Sequence, residues 1–203
     1  MAESLVQVTE GSGKKLHTFA HVVGGNTIED EFVVFAEQPI PSYVIDTPAV
    51  SVATANDHVL QIMAGASLNV WVRRIRVYQS ALATTAAIGT FQIFRLTTAG
   101  TGGTTAAVDS LDATDSAAGA TAMTLPTVKG TESTRLYGIT AGFIQTVPTA
   151  GVNPLLADFD FASLRGKSIR IAAGTANGIA LKISTAIAAA TVIVVADIAE
   201  LTF

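Results

Sequence analysis

Residues 67–80, SLNVWVRRIRVYQS, decide the fold of this chain. Leu68, Val70 and Val72 alternate with Asn69, Trp71 and Arg73, and then Ile75 and Val77 alternate with Arg74, Arg76 and Tyr78. A period of two marks a half-buried strand, because successive side chains of a strand point to opposite faces. The apolar set changes parity between Arg73 and Arg74. One extra residue there puts both sets on the same face, so the pattern predicts a β-bulge. At roughly 3.3 Å per residue the stretch runs about 45 Å, well beyond a usual strand of about six residues, so it must bend or cross a whole sheet.

On the amino-terminal side, residues 1–15 are polar and glycine-bearing, end in GSGKK and have no amphipathic period, so they read as an extended arm. Residues 16–23 and 27–36 read as two strands around Gly24, Gly25 and Asn26, a turn suited to positive φ. Pro39, Pro41 and Pro48 break regular pairing and fit a chain crossing between sheets or following an edge. Short β-prone runs follow at 42–46, 49–53 and 58–63.

On the carboxyl-terminal side, residues 88–97, IGTFQIFRLT, have apolar residues on both parities (Phe91 and Ile93; Phe94 and Leu96), which predicts a strand covered on both faces. Residues 98–122 are almost entirely Gly, Ala, Thr, Ser and Asp, with Val108 and Leu111 as the larger hydrophobes. Burial of such a segment does not offset its ordering entropy, so the expectation is a long exposed loop, mobile or held by a partner. Further strands are predicted at 123–128, 135–147, 155–161, 168–173, 178–184 and 190–201, with a turn at 174–177. Residues 153–164, NPLLADFDFASL, read as a short helix with Asn153 as N-cap and Pro154 at the first position, although Phe159 and Phe161 also alternate like a strand. Roughly eight to twelve short strands with no βα rhythm and no internal repeat define an all-β, antiparallel β-sandwich. The expected organisation is an arm at 1–15 and one sandwich domain at 16–203, with a flexible loop at about 98–122.

The chain has 203 residues, 49% hydrophobic and 14% charged. Soluble domains carry about 25% charged residues, and interface cores are depleted of charge, so much of this surface is expected to meet protein. The net charge is -4 and the cations form no long block, which speaks against an electrostatic grip on nucleic acid. Arg73, Arg74 and Arg76 are the exception, and they read as the charged solvent face of a strand guarded against edge pairing. The absence of cysteine excludes a disulfide scaffold and thiolate chemistry. The opening MAESLVQVTEG lacks a basic segment followed by an apolar one, so no secretory signal is expected. The most apolar run, 187–196, is far shorter than the roughly 20 residues that span a bilayer. The chain therefore reads as soluble and made in a cytoplasm.

Candidate sites dissolve on inspection of their spacing. Lys14 and Lys15 follow glycine, but the first glycine of a phosphate-binding loop would fall at Val8, and Lys15 replaces its Ser/Thr. His17 and His21 would share a metal on a helix, but on a strand they stand about 13 Å apart. Asp109, Asp112 and Asp115 lack the ligand count and central glycine of a calcium loop, so they read as solvated carboxylates. No Gly-x-Ser-x-Gly elbow occurs. Asp158 and Asp160 flank Phe159, and Glu29, Asp30 and Glu31 adjoin, yet neither group makes a glycosidase pair without a cleft. Trp71, Tyr78 and Tyr137 could platform a carbohydrate, but at 6% aromatic the chain has no more rings than a core needs. No catalytic, cofactor-binding or metal-ligating residue is assigned, and the expectation is a protein that is not an enzyme and holds no cofactor.

Four segments carry a resemblance. Residues 11–35, GSGKKLHTFAHVVGGNTIEDEFVVF, resemble the amino-terminal segment of tailed-bacteriophage structural proteins: a polar arm, Gly-Lys-Lys, and a Gly-Gly hairpin into an apolar strand. Residues 174–184 (GTANGIALKIS) and 190–201 (ATVIVVADIAEL) are similar to the last two strands of phage jelly-roll proteins, with a terminal acid at Glu200. Residues 69–79, NVWVRRIRVYQ, resemble their long middle strand. Together these cover roughly a third of the chain. The resemblance implies a jelly-roll virion protein of the head decoration, or cement, type: a homotrimer in the virion whose partners are the major capsid protein and neighbouring copies, with neither nucleic acid nor membrane. It also leaves open a glycan-binding host-recognition module of a tail or fibre, since jelly rolls serve as lectins too. A β-sandwich lyase or hydrolase has the least support.

Overall fold

The computed structural model describes residues 18–23, 26–31, 40–145, 154–162 and 167–201. The chain divides into two compact units, 1–39 and 40–203, each described by itself. In the first unit β1 (Thr18–Val23) and β2 (Asn26–Glu31) pair antiparallel, Thr18 opposite Glu31 and Val23 opposite Asn26. The expected hairpin is present, with Gly24 and Gly25 alone between its strands. The expected arm lies outside the described residues.

The described part of the second unit is built from strands, with no helix. In chain order they are β3 (Ser42–Asp46), β4 (Val50–Ser51), β5 (His58–Met63), β6 (Asn69–Ala81), β7 (Ala87–Leu96), β8 (Thr104–Ala106) and β9 (Asp109–Ser110). These are followed by β10 (Thr121–Thr124), β11 (Glu132–Phe143), β12 (Leu155–Asp160), β13 (Ile169–Ile171), β14 (Gly178–Ile183) and β15 (Thr191–Leu201). One sheet runs β12-β6-β15-β3-β9, with β13 also on β6 and β4 on β15, and the other runs β11-β7-β14-β5-β10-β8. All pairings are antiparallel. The fold is thus an all-β sandwich, and its long strands, ordered β12-β6-β15-β3 against β11-β7-β14-β5, change sheet at every step along the chain except from β7 to β11, in a jelly-roll-like way.

The core lies between the sheets. Tyr43, Ile45, Ile75, Val77 and Val194 from one meet Leu60, Ile62, Phe91, Ile93 and Leu181 from the other. Fully burying such a side chain contributes about 1.5–3 kcal/mol. The central strand β6 is organised as its pattern predicts. Val70 and Val72 are buried on one side of the parity change, Ile75 and Val77 on the other, with Arg73 and Arg74 both part-exposed. Asp197 stands opposite Arg74 and Ile198 opposite Val72, so Arg73 is the extra residue. Its carbonyl accepts the N–H groups of Phe161 (2.9 Å) and Ala162 (3.2 Å), where the chain leaves β12. The bulge therefore also marks where β12 stops and, further along the same edge of β6, β13 begins.

Four expectations are corrected. Residues 98–122 are not a loose loop: they supply β8, β9 and the first half of β10, which extend both sheets beyond β5 and β3. Their small side chains are what the place demands, because Ala106, Ala120 and Ala122 fill the core edge and a Cβ on Gly65 would meet the Gly119 oxygen at 2.7 Å. The missing apolar burial is offset by main-chain pairing and by Glu200, whose carboxylate, 2% exposed, accepts the N–H groups of Gly119 (2.9 Å) and Ala120 (2.5 Å). Second, residues 153–164 hold the strand β12 rather than a helix, since the chain pairs with β6 and buries Ala157 and Phe159 in the core. Third, β7 is covered mainly on one face: Phe91 and Ile93 are buried, while Ile88 is 69% exposed. Its outward Phe94 lies under the Lys182 ammonium at 4.1 Å, and Leu96 joins Met63 and Ala180 in a small outer cluster. Fourth, β6 is an interior strand, so its arginines guard no edge.

Candidate functional site

A buried, connected polar network sits on the outer face of the six-stranded sheet. β5 alternates Leu60 and Ile62 into the core with Gln61 and Met63 outward. Opposite β14 its register slips at Val59, which turns His58 to the side of Gln61 and Lys182. Two limbs of chain cross above these residues: 97–103 leaving β7, and 125–131 returning to β11. They pair at Thr101 and Val128 and form a strap. Lys129 fastens the return limb to Asp57 (2.9 Å), and the Leu125 N–H donates to the His58 carbonyl. Beneath the strap His58 is 0% and Gln61 1% exposed.

The proton positions follow from one backbone group. The Gly100 N–H is a donor and lies 2.9 Å from Gln61 Oε1, so the amide nitrogen of Gln61 must face the other way. There it meets His58 Nδ1 at 2.6 Å. An amide nitrogen only donates, hence Nδ1 accepts and His58 is the neutral tautomer with its proton on Nε2. That proton is donated to Glu132 Oε1 at 2.8 Å, while Lys182 Nζ donates to Glu132 Oε2 at 2.7 Å. The chain of bonds runs Lys182, Glu132, His58, Gln61, Gly100, joining β14, β11, β5 and the strap.

Burial pushes the His58 pKa below its ordinary 6.5, against the pull of the Glu132 carboxylate. Burial also pushes Glu132 up, but the bonds from Lys182 and His58 together outweigh it and hold the carboxyl below its ordinary 4.5. A histidine oriented by a carboxylate is the makings of a general base, yet here Nδ1 is already bonded to Gln61 and the ring is closed from solvent. The arrangement holds a proton and a strap rather than a substrate.

On the outer face of the other sheet, Arg74 grips Asp158 through Nε (2.9 Å) and Nη2 (2.5 Å), and Arg76 pairs with Asp197 at 3.1 Å. The Arg74 bonds hold the Asp158 carboxyl below its ordinary 3.8. Asp160 stands opposite Arg74 in the register, so the two aspartates around Phe159 belong to this charge ladder. The other sequence candidates are scattered. Lys14, Lys15 and His17 lie outside the described residues, His21 is on β1, and Glu29, Asp30 and Glu31 are on β2. Asp112 Oδ1 accepts from Thr114, and Asp115 Oδ2 from the Ser42 N–H, which ties the 98–122 segment to β3. Trp71 lies beneath the Arg170 guanidinium (5.9 Å), and Tyr137 packs on Phe161 (5.0 Å). A depression of about 170 Å³ beside Arg95, Ser133 and Asn177 is below the roughly 300 Å³ of small-molecule sites.

His58 and Gln61 were missed in the sequence. The signal there is a polar pair inside HVLQIM, a run apolar on both parities; Glu132, 74 residues away, carries none. No protein-family model matches this chain, and neither a curated protein nor a solved structure is significantly similar to it.

Proposed function

We propose that this protein is a non-enzymatic virion structural protein, a capsid decoration or cement subunit that stabilises a phage head by bridging its neighbours. The observation that carries the reading is the jelly-roll-like strand order, an architecture used by viral capsid proteins. The segments at 11–35, 69–79, 174–184 and 190–201 add their resemblance to phage proteins, and the low charge suits a surface covered by other subunits. Such a subunit acts by added interface, shifting the assembly equilibrium through mass action. Leu111 and Val128, each 65% exposed, are apolar side chains that a neighbour would cover.

Light scattering of the purified protein, followed by co-sedimentation with phage capsids, tests the proposal. A trimer that pellets with capsids is expected. A monomer that stays in the supernatant sinks it. Deleting residues 1–15 should abolish particle binding and leave the trimer folded; unchanged binding removes the arm from the mechanism. The glycan-binding reading gains little, because the Trp71 and Tyr137 rings are engaged by Arg170 and Phe161.

A further inference from the structure

The 97–103 limb of the strap is bonded at Gly100 to the Gln61 amide, which in turn is bonded to the titratable His58. We propose that His58 and Gln61 form a proton-operated latch: protonation of His58 forces the Gln61 amide to turn over, breaks its bond to Gly100 and frees the 97–103 limb from the sheet. This inference is independent of the virion reading and rests on the geometry beneath the strap.

Imidazolium carries hydrogen on both ring nitrogens. Nδ1–H would then point at the Gln61 nitrogen, 2.6 Å away, two donors head to head. The amide relieves this only by rotating so that its oxygen accepts from Nδ1–H. The rotation presents NH2 to the Gly100 N–H, and that buried bond becomes a second donor pair. No water enters to compensate while the strap is closed, because His58 and Gln61 are within 1% of full burial. An unpaired buried donor is costly, so opening the strap is the way out.

The charged groups around the ring set the direction. Glu132 on β11 accepts from Nε2 and favours the proton; Lys182 on β14 and Lys129 on the return limb oppose it, the latter itself bonded to Asp57. Glu132 is already shared with Lys182, which limits its pull on His58. The latch therefore stays shut at neutral pH and opens in acid, below the ordinary imidazole range. Opening releases His58 to solvent, where its affinity for protons returns to normal. Between the closed-state and open-state values the open population rises up to about tenfold per pH unit.

The test is amide hydrogen exchange on the full chain, corrected for the intrinsic pH dependence of exchange. Protection at Gly100 should fall by up to about tenfold per pH unit from about pH 6.5 downward, while amides of the central strand β14, such as Leu181, keep theirs. Gln61→Glu supplies a carboxylate that accepts from both His58 Nδ1–H and the Gly100 N–H, so Gly100 should stay protected across the same range. Nitrogen NMR of the wild-type ring should show the Nε2–H tautomer at neutral pH. Gly100 protection that is flat with pH, or that falls only in step with Leu181, overturns the latch; so does a Gln61→Glu protein that loses Gly100 protection as wild type does. Should that variant not fold, the wild-type comparison of Gly100 with Leu181 decides alone.

Discussion

Glu200 shows how one side chain can order a segment that has almost nothing to bury. Its carboxylate accepts two main-chain N–H groups, and charge-assisted bonds of this kind are roughly twice as strong as neutral ones. Glu200→Gln keeps the shape but turns one acceptor into a donor, and should lower stability by about 1–3 kcal/mol, read as a lower urea midpoint. An unchanged midpoint would mean that the 98–122 segment is held by strand pairing alone. Gly178 faces a different constraint, because a Cβ there would meet the Met63 sulfur and, at 2.6 Å, the Ile62 oxygen. Backbone does not yield as a side-chain end does, so Gly178→Ala should destabilise by about 1–3 kcal/mol by overpacking the joint of β14 and β5, checked by the same titration. Neither residue announces its role in the sequence, since a terminal acid and a strand-opening glycine are ordinary until their partners are in place.

At the scale of the element, the bulge at Arg73 is the most informative feature of β6. It is visible in sequence because parity is a local property, and the structure places the slip where the parity breaks. Deleting Arg73 would restore continuous pairing with Val70, Val72, Ile75 and Val77 still on the core face, and would remove the carbonyl that accepts from Phe161 and Ala162 at the end of β12. Such a protein should keep a cooperative thermal transition at a somewhat lower midpoint; loss of the transition would show that the bulge itself is needed to end β12 and seat β13. The charge ladder beside it is a weaker support. Arg74 and Asp158 are 39% and 30% exposed, so solvent screens them, and Asp158→Asn should cost less than about 1 kcal/mol in a thermal melt. A larger loss would give the ladder a part in holding β12 on β6.

For the whole molecule, the lowered pKa values of His58, Glu132 and Asp158 point to acid sensitivity. His58 has a lowered pKa when folded, so the unfolded chain takes up its proton first, and stability falls as pH drops below 6.5. Glu132 and Asp158 are also held below their ordinary 4.5 and 3.8, so the stability they contribute above those values is lost as pH falls further. Urea midpoints should therefore decline in two stages, an early one due to His58 and a later one due to the carboxylates. His58→Gln should flatten the early stage alone; an early decline of undiminished size in that variant would assign it to another group.

The sequence by itself determined the class of the fold and the places of most strands, because strand periodicity, glycine turns and the Arg73 parity break are written in neighbouring residues. It also determined the hairpin of β1 and β2 through Gly24 and Gly25. Tertiary structure alone decided the rest. The 98–122 segment looks disordered by composition, yet it is ordered by main-chain bonds to strands and by a carboxylate 80 residues away. β12 reads as well for a helix as for a strand until β6 offers it an edge. The network of His58, Gln61, Glu132 and Lys182 exists because side chains from three strands of one sheet converge and a strap crosses above them. Periodicity is a local property of the chain, whereas hydrogen-bond satisfaction and burial are settled only when distant segments meet.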